Sequence, residues 1–384
     1  MKQSDPALAL PPAARGRCAL HITAAAALGR FELQVCERCG GVQYPPREVC
    51  GNCLSVRLRW TEQSGQGQLL AITTLGHSNA AYFRRRLPWR LGLVQLDAGP
   101  TLIVHLHTAI AAAPAAVRIV ARLDRSGQGV LVGLPAAAVN PRDDTMMQEM
   151  GCDPRSRGVL VTDGAGASGL ALVQSLRAAG AARIWVGYGD GLESVTVLSA
   201  APEVCYVSLD LKHLESVQRL ANGIGAEVDI LINNHDVQSN GAGGLAAAAV
   251  EMDINYFGLL RLAQAMSPVL TQRSRQGHAC AWVNLLSIAA LSGVATQGTY
   301  CASKAAAHSF AQSLRAQLQA EGVRVMSVFP GSIEPAALAD AIVAGLREGI
   351  EDLYPGDIAQ AWRQGLNENP KVWEREIAAA VRRP

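Results

Sequence analysis

The second half of the chain alternates short apolar runs with longer helical stretches, and this alternation constrains the fold more than any other feature. Strands that alternate with helices are joined by crossovers, which give a parallel sheet with helices on both faces. The sequence therefore predicts an α/β, doubly wound parallel sheet over residues 158–384. The apolar runs are Val159–Thr162, Arg183–Val186, Val204–Asp210, Asp229–Asn234, Ala281–Leu286 and Arg324–Phe329, and Glu351–Pro355 is a candidate last strand.

The composition of the chain limits its class and its partners. A length of 384 residues suits two or three domains, and an apolar content of 49% allows a sizeable core. The formal charge of +2 gives no reason to expect a nucleic acid or an anionic membrane as partner. No apolar run of about 18 residues is free of charges and glycines, and the start of the chain lacks the pattern of a signal peptide. We therefore expect a cytoplasmic protein without a membrane partner.

A glycine-rich segment follows the first predicted strand. Thr162 closes that strand, and Gly164, Gly166 and Gly169 lie just before a predicted helix at Leu170–Ala179. A turn of this kind between a strand and a helix directs backbone N–H groups and the positive end of the helix toward a pyrophosphate. The spacing Gly-x-Gly-x-x-Gly therefore predicts a dinucleotide site.

An acidic residue, Asp190, follows the second predicted strand. In this position an acid usually accepts hydrogen bonds from the adenosine ribose hydroxyls and opposes a 2′-phosphate. No arginine follows closely. The sequence thus favours NAD over NADP and leaves NADP possible, although a solvated turn residue at Asp190 fits the pattern equally well.

Four of the nine cysteines form two closely spaced pairs. Cys36 and Cys39 are separated from Cys50 and Cys53 by ten residues. Each Cys-x-x-Cys pair turns two thiolates toward one ion, and two pairs complete a tetrahedral site of four sulfurs that suits zinc. Four protein ligands leave no open position, so this zinc is predicted to be structural. Two redox disulfides are the alternative, and the remaining five cysteines are expected to be reduced.

The first part of the chain divides into two predicted domains and a linker. Residues 1–60 hold an Ala-rich helical stretch and the cysteine pairs. Residues 61–135 alternate β-rich runs with turns, which predicts a small antiparallel barrel. Polar residues broken by Asn-Pro and Asp-Pro steps predict a linker over residues 136–157. The barrel segment has few aromatic residues and no long basic stretch, which argues against nucleic-acid binding.

The N-terminal motifs resemble a known family. The cysteine pairs, the segment Tyr44–Arg47, Trp60 and the turn from Gly65 to Gly67 are similar to the zinc-ribbon/OB-fold proteins that accompany thiolases and acyl-CoA aldolases. The resemblance covers about residues 20–135. It implies an OB-fold barrel and a role as the small partner of a thiolase-fold subunit, which in some members helps to form the acyl-CoA site.

Tyr300 and Lys304 stand about one helical turn apart at the head of an apolar helical stretch. Residues four positions apart share a face of a helix. A phenol has an unperturbed pKa of about 10, and a neighbouring ammonium lowers this pKa toward a value that is useful for proton transfer. A surface pair on an amphipathic helix is the alternative interpretation.

Together with Ser287 and Asn255, this pair resembles the catalytic tetrad of the short-chain dehydrogenase/reductase family. The resemblance covers about residues 158–335 and implies a Rossmann-type fold. It implies that Tyr300 exchanges a proton with the substrate oxygen and that Ser287 hydrogen-bonds the same oxygen. It also implies that Lys304 shifts the pKa of Tyr300 and holds the nicotinamide ribose, while Asn255 supports a water that links Lys304 to solvent.

The same resemblance assigns cofactor contacts and shows where the chain departs from the family pattern. Asp163 and Ala167 stand where the pattern Thr-Gly-x-x-x-Gly-x-Gly has its first two glycines, and His235-Asp236 replace the usual Ala-Gly. A carboxylate that faced the pyrophosphate would repel it. The implied cofactor-binding residues are Thr162, Gly164, Gly166, Gly169, Asp190, Asp210, Asn233, Tyr300, Lys304, Pro330 and Gly331.

These parts combine into one leading hypothesis and two alternatives. The dehydrogenase half is expected to interconvert a 3-hydroxyacyl-CoA and a 3-oxoacyl-CoA, while the N-terminal part docks a thiolase or aldolase subunit, and fusion raises the effective concentration of the shared intermediate. A non-catalytic acyl-CoA-binding or scaffold subunit is one alternative. A dehydrogenase of a steroid or other alicyclic alcohol is the other. A homo-oligomer is expected, since the family commonly assembles through the helices that carry Asn255 and Tyr300.

Overall fold

The computed structural model describes residues 9–137, 144, 147–189, 201–239 and 244–380. The chain divides into two compact units. The first extends to Gly151 and includes Glu348–Ile350, and the second takes the remainder of the chain from Cys152 onward. Each unit has its own sheets and its own buried core.

A short helix and a three-stranded antiparallel sheet open the first unit. The helix α1 spans Leu20–Ala26. The sheet has the order β2-β1-β3, with β1 at Glu32–Cys36, β2 at Val42–Gln43 and β3 at Leu58–Glu62. Cys36 ends β1, and the other three cysteines of the two pairs lie in the turns on either side of β2. The sheet therefore holds both pairs on one short framework.

Five strands of the first unit close into a barrel in the order β4-β5-β6-β8-β7. This confirms the predicted barrel with one correction, because β6 and β8 pair in parallel whereas the other pairs are antiparallel. A closed ring of five strands cannot reverse direction at every pairing, so one pair must be parallel. The strands are β4 Gln66–Leu75, β5 Trp89–Leu96, β6 Thr101–Leu106, β7 Ala115–Leu123 and β8 Gly129–Pro135, with helix α2 Ala81–Arg84 between β4 and β5.

The predicted linker over residues 136–157 lies partly outside the described residues. Within its described part, Met147 and Met150 are buried against Val132 and Leu134 of β8. Apolar side chains at these two positions join the packing of the barrel unit, and the linker over the segment as a whole stays a prediction.

A parallel sheet of seven strands forms the second unit, in the order β11-β10-β9-β12-β13-β14-β15. Every pairing in it is parallel, which confirms the doubly wound prediction. The chain starts in the middle at β9, builds outward to β11, and then crosses to β12, so the strand order switches between β9 and β12. The strands are β9 Gly158–Val161, β10 Arg183–Tyr188, β11 Val204–Ser208, β12 Ile230–Asn233, β13 Cys280–Leu285, β14 Val323–Val328 and β15 Asp352–Leu353.

Helices connect these strands. Helix α3 begins at Ala167, three residues before its predicted start, and a six-residue π-helical segment at Asp253–Gly258 separates α5 from α6. Within the described residues, no helix is both long and apolar enough to cross a bilayer. The helices are α3 Ala167–Ala178, α4 Leu214–Ile224, α5 Gly244–Met252, α6 Leu259–Arg275, α7 Gly298–Gln319, α8 Pro335–Glu348, α9 Gly356–Glu368 and α10 Pro370–Ala380.

The central strands of the second unit are buried along their whole length, as expected for a parallel sheet covered on both faces. All residues of β9, β12 and β13 are buried. Polar residues appear only where these strands end, and the carboxyl ends of neighbouring parallel strands meet at one edge of a sheet. This edge, at the switch between β9 and β12, is the expected place for a site.

Candidate active site

The segment after β9 is tied to the end of β12 by a set of short hydrogen bonds. The Thr162 hydroxyl donates to Asn233 Oδ1 at 3.2 Å and accepts the Asn234 backbone N–H at 2.9 Å. The Asn234 side-chain amide donates to the backbone carbonyl of Asp163 at 2.9 Å. Thr162 and Asn233 thus position two neighbouring loops against each other at the switch point.

Asp163 explains why the family pattern has glycine at its position. Its φ is +47°, in the left-handed region that favours glycine and that aspartate tolerates better than most residues. The backbone here adopts a conformation that glycine favours, and the aspartate adds a carboxylate to the loop.

Two glycines of this loop are required by close packing, and the third faces open space. A Cβ on Gly169 would lie 2.5 Å from the Gly164 Cα. A Cβ on Gly164 would lie 2.4 Å from Val186 Cγ1. A Cβ on Gly166 would have no neighbour within 4 Å. Gly164 and Gly169 therefore seat α3 against the strands, and Gly166 leaves room in front of the helix.

The two predicted acidic contacts to the adenosine part both stay predictions, and only Asp210 lies among the described residues. Asp210 follows β11, and its carboxylate accepts the Lys212 backbone N–H at 2.9 Å and lies 3.6 Å from His213 Nε2. Its own backbone N–H donates to the Ser216 hydroxyl at 3.0 Å, which fixes it at the start of α4. Asp190 lies outside the described residues.

Tyr300 and Lys304 lie on the first turns of α7 and are both buried. The Lys304 Nζ is 5.8 Å from the centre of the Tyr300 ring and donates to the Leu285 carbonyl at 3.3 Å. Lys304 is only 2% exposed, so its charge must be compensated nearby. The prediction that the pair shares a helix face agrees with this geometry.

The compensating charge is Asp236, in the segment after β12. Its Oδ1 lies 3.1 Å from Lys304 Nζ, and its Oδ2 accepts the Tyr300 hydroxyl at 3.1 Å. The side chain of Asp236 is 47% exposed. One carboxylate, at a position where the family usually has glycine, thus bonds both the phenol and the ammonium.

The surroundings of the phenol favour its protonated form. Burial raises the pKa of Tyr300 most, the Asp236 carboxylate raises it further, and the hydrogen bond from Ser287 lowers it. The pKa of Tyr300 is thus raised overall, mainly by burial and then by the Asp236 carboxylate, which repels a phenolate. The lowering effect expected from Lys304 stays a prediction.

Ser287 lies just after β13 and caps a short 3-10 turn at Ile288–Ala290. Its φ and ψ are extended, and its hydroxyl oxygen accepts the Ala289 backbone N–H at 3.1 Å. The same hydroxyl reaches Tyr300, where its hydrogen bond lowers the pKa of the phenol. Ser287 is thus held beside the phenol by the backbone, as the resemblance implied.

Asn255 lies inside the π-helical segment and is fully engaged by protein groups. Its Oδ1 accepts the Val237 N–H at 2.9 Å, and its Nδ2 donates to the Val237 carbonyl at 2.8 Å and to the Ser303 hydroxyl at 2.9 Å. π-helical turns often mark functional sites. In this structure the side chain joins the Asp236 segment to α7, and the implied role in holding a water stays a prediction.

Pro330 and Gly331 follow β14 on the same edge of the sheet. The Pro330 carbonyl accepts the Ile288 N–H at 3.1 Å, which links it to the Ser287 turn. A Cβ on Gly331 would lie 2.7 Å from Ile358 Cγ2 of α9. This glycine is therefore set by packing against α9, and a direct cofactor contact for the two residues stays a prediction.

His235 presents a polar atom that has no partner among the described residues. Its Nδ1 is buried without a hydrogen bond. Burial lowers the pKa of His235, while Asp163 acts in the opposite direction. An unsatisfied buried ring nitrogen and the open space before Gly166 both fit a polar ligand in this crevice.

The four paired cysteines form a separate site in the first unit. Their sulfurs all lie within 4.8 Å of one another, and the sulfurs of Cys36 and Cys53 are 3.6 Å apart, as are those of Cys39 and Cys50. Sulfurs bound tetrahedrally to zinc at about 2.3 Å lie about 3.8 Å apart, whereas a disulfide bond is about 2.0 Å long. Backbone N–H groups of the turns lower the pKa of Cys36 and of Cys50, which favours their thiolate forms, whereas the neighbouring sulfurs, Cys50 first, raise the pKa of Cys39. The donor set and its spacing fit zinc.

The structure brings together most of the residues that the sequence singled out, and it adds three. Ser287, Tyr300 and Lys304 adjoin one another, and Asn255 is linked to them through Ser303. Ser303 and Val237 were missed, because a serine next to a lysine and a backbone contact carry no sequence signal. Asp236 was visible only as a departure from the family pattern.

Comparisons with known families agree with the two-part organisation. The family described as short chain dehydrogenase matches residues 157–345. The family described as ChsH2, rubredoxin-like zinc ribbon domain, matches residues 23–58, and its C-terminal OB-fold domain matches residues 60–139. The zinc ribbon and the OB-fold barrel expected from the N-terminal motifs are thereby confirmed.

Individual relatives match the second half of the chain. An uncharacterized oxidoreductase of Staphylococcus aureus is 30% identical over 234 residues, which cover 57% of this chain and 95% of the relative. Bovine retinol dehydrogenase 8 is 36% identical over 152 residues, which cover 38% of this chain and 47% of that protein. The chain thus spans about half the length of the retinol dehydrogenases it matches.

A solved structure shares the fold of this half. A short chain dehydrogenase from Burkholderia cenocepacia in complex with NADP is 28% identical, with a TM-score of 0.54 over 59% of this chain and 98% of that one. The match takes in nearly all of that structure.

Proposed function

The chain belongs, in its C-terminal half, to the short-chain dehydrogenase family, and from this premise we propose that it interconverts a hydroxyl and a ketone with a nicotinamide dinucleotide. The observation that carries the proposal is the convergence of Ser287, Tyr300 and Lys304 at the strand switch, beside a glycine loop whose packing leaves space before α3. A strand switch is where ligands bind in doubly wound sheets.

The dinucleotide, when bound, supplies or accepts the hydride. The chain's own residues supply the proton and the positioning. Tyr300 carries the proton that passes to the substrate oxygen, and Ser287, held by its backbone cap, donates a hydrogen bond to the same oxygen. Lys304 supplies a buried positive charge beside the phenol, and Asn255 fixes the segment after β12 to α7.

For the cofactor we propose NAD, with NADP to be tested beside it. Thr162 and Asn233 hold the loop edge, Gly164 and Gly169 seat the helix, and Gly166 leaves the opening in which a pyrophosphate would face the α3 N-terminus. The structure of the Burkholderia cenocepacia relative was solved in complex with NADP, so NADP must be tested as well as NAD. Competition between the two dinucleotides for the same chain decides between them.

For the substrate we propose a 3-hydroxyacyl-CoA or its 3-oxo form. The fused ribbon and barrel, which match ChsH2 domains, support this choice because the N-terminal motifs resemble proteins that accompany thiolases. In this proposal the first unit docks a thiolase or aldolase subunit, and tethering raises the local concentration of the shared intermediate. We also propose that the chain forms a homo-oligomer.

The test is to mix the purified chain with NAD or NADP and a panel of 3-hydroxyacyl-CoAs and to follow the absorbance of the reduced nicotinamide. The proposal predicts turnover that Tyr300→Phe abolishes. Absence of turnover across a broad acyl panel with both cofactors would remove the acyl-CoA assignment.

A second candidate substrate class is a steroid or other alicyclic alcohol. The match to retinol dehydrogenase 8 favours an alcohol on a lipid-like molecule. The same absorbance assay with steroid alcohols and retinol in place of acyl-CoAs separates the two classes, since only one panel is expected to give turnover.

A third candidate is a subunit that binds acyl-CoA without turning it over. The contact of Asp236 with Tyr300 and Lys304, together with the carboxylate at Asp163, favours it, since both add negative charge to the crevice. Titration with dinucleotide distinguishes this scaffold from the enzyme: saturable binding supports the enzyme, and absence of binding at millimolar concentration supports the scaffold.

A further inference from the structure

Asp236 stands between the two groups that the proposed reaction needs most. Its carboxylate bonds the Tyr300 hydroxyl and the Lys304 ammonium, each at 3.1 Å. We propose that Asp236 is a positioning residue that holds Tyr300 protonated and engaged, so that proton transfer to a substrate begins only after this contact opens. The inference rests on the proposed function, because it concerns the same site.

A phenol has one O–H group and can donate one hydrogen bond at a time. Tyr300 has a single O–H, and the structure directs it to Asp236 Oδ2. A phenol that donates to a carboxylate cannot donate the same proton to a substrate oxygen. The substrate oxygen must therefore displace Asp236 before it can be protonated.

Among the charged and polar groups that face Tyr300, the Asp236 carboxylate raises its pKa most. From α7 it is faced by Lys304 and the Cys301 thiol, and from the end of β13 by the Ser287 hydroxyl. Its packing partners Ala289 and Val294 are apolar. Lys304 is paired with Asp236, so its charge no longer favours the phenolate by itself.

Burial differs between the two ends of this ion pair, and the difference says how it can open. Asp236 is 47% exposed and can exchange its protein partners for water, whereas Lys304 is 2% exposed and cannot. An ammonium buried without a partner is costly. Opening is therefore favoured when a ligand brings its own acceptors to Lys304, which couples ligand binding to the release of Tyr300.

The chemical step that follows is balanced without a further reactant. In reduction, a bound reduced nicotinamide dinucleotide would supply a hydride to the carbonyl carbon, and the carbonyl oxygen takes the Tyr300 proton. The products are the alcohol, the oxidised dinucleotide and the Tyr300 phenolate, which recovers a proton from water. In oxidation each transfer is reversed.

The test uses Asp236→Asn, which keeps the shape and removes the charge, and Asp236→Gly, which restores the usual family residue. Ultraviolet titration of the seven tyrosines follows phenolate formation in the ligand-free chain, and the Tyr300→Phe variant identifies the step that belongs to Tyr300. Both variants are expected to ionise Tyr300 about 1–3 pH units lower than the wild type. The matched control is Asp340→Asn, which removes an exposed carboxylate bonded to Ser175 on α3.

Kinetics give a second measure. In both variants kcat/KM is expected to rise by about tenfold, because a lower pKa of Tyr300 eases proton transfer. The rise should be equal for oxidation and reduction, because a variant cannot change the equilibrium constant of the reaction. The alkaline fall in the reduction rate is expected at lower pH than in the wild type. Titrations of both variants that superimpose on the wild-type curve overturn the proposal. Because the titration needs no cofactor, it decides the role of Asp236 even if dinucleotide binding, and with it the proposed function, fails.

Discussion

The zinc ribbon and the dinucleotide crevice of this chain keep to their family patterns to different degrees. In the ribbon all four cysteines are present, and a single short segment brings their sulfurs within 4.8 Å. The crevice is assembled from segments far apart in sequence, and it departs from the pattern at Asp163 and at His235-Asp236. A site made by local turns is decided by the residues of those turns. A site assembled at a sheet edge can keep its fold and change its chemistry through one residue.

The largest expected effect tests the ribbon side of this comparison. Cys50→Ser removes one of four ligands, and we expect loss of zinc and unfolding of the ribbon, since structural zinc in small fingers contributes about 10–16 kcal/mol of binding free energy. Metal analysis and thermal unfolding of the purified chain measure it. Cys18→Ser, outside the cluster, is the control and should keep its metal. A Cys50→Ser chain with unchanged zinc content and melting would contradict the assignment.

The next effect concerns the catalytic phenol. Tyr300→Phe removes the proton that the proposed reaction transfers, and we expect turnover to fall by about 10²–10⁴-fold while the fold is kept. Initial rates with the best substrate of the panel measure it. Tyr206→Phe on β11, which removes a buried hydroxyl without a hydrogen bond among the described residues, is the matched control. Equal rates for the two variants would show that Tyr300 takes no part in the reaction.

A smaller effect tests how the crevice is held together. Asn255→Ala leaves the Val237 backbone groups and the Ser303 hydroxyl without their partner, and we expect the free energy of unfolding to fall by about 3 kcal/mol. Denaturant titration of the second unit's transition measures it. Asn222→Ala, at an exposed position on α4, should change stability little. If both variants unfold alike, Asn255 does not brace the site.

The smallest effect separates packing from binding within the glycine loop. Gly164→Ala places a methyl 2.4 Å from Val186 Cγ1, and we expect a loss of about 1–3 kcal/mol of stability. Gly166→Ala meets no atom within 4 Å and should keep stability while weakening dinucleotide binding. Thermal unfolding and binding titration of the two variants check this division. If instead Gly166→Ala lowered stability and Gly164→Ala only weakened dinucleotide binding, the ligand would bind elsewhere on the loop.

Much of the fold could be predicted because its determinants are periodic or local. Apolar runs such as Val159–Thr162 indicate buried parallel strands, and each Cys-x-x-Cys pair indicates a turn. The parallel pairing of β6 with β8 could not be read from either strand, because it follows from closing a ring of five strands. The packing of Met147 and Met150 onto β8 likewise depends on a tertiary contact that the polar composition of the segment conceals.

The candidate site shows the same division. Spacing along α7 was enough to place Tyr300 and Lys304 together, because helix geometry fixes it. Spacing could not show that the carboxylate of Asp236, 64 residues before Tyr300, reaches both groups. Nor could spacing show that burial, and after it this contact, raises the pKa of Tyr300. The hydrogen bond between Asn255 and Ser303 depends on the π-helical turn, and the hydrophobic periodicity of the sequence does not indicate such a turn.

The most direct test of the account is a crystal structure of the chain with a bound nicotinamide dinucleotide. We predict that the dinucleotide lies at the switch between β9 and β12 and that Lys304 Nζ bonds it. We also predict that Asp236 no longer contacts Tyr300 or Lys304 in this complex. A structure in which Asp236 still bonds Tyr300 and Lys304, with the dinucleotide absent from this crevice at saturating concentration, would contradict it.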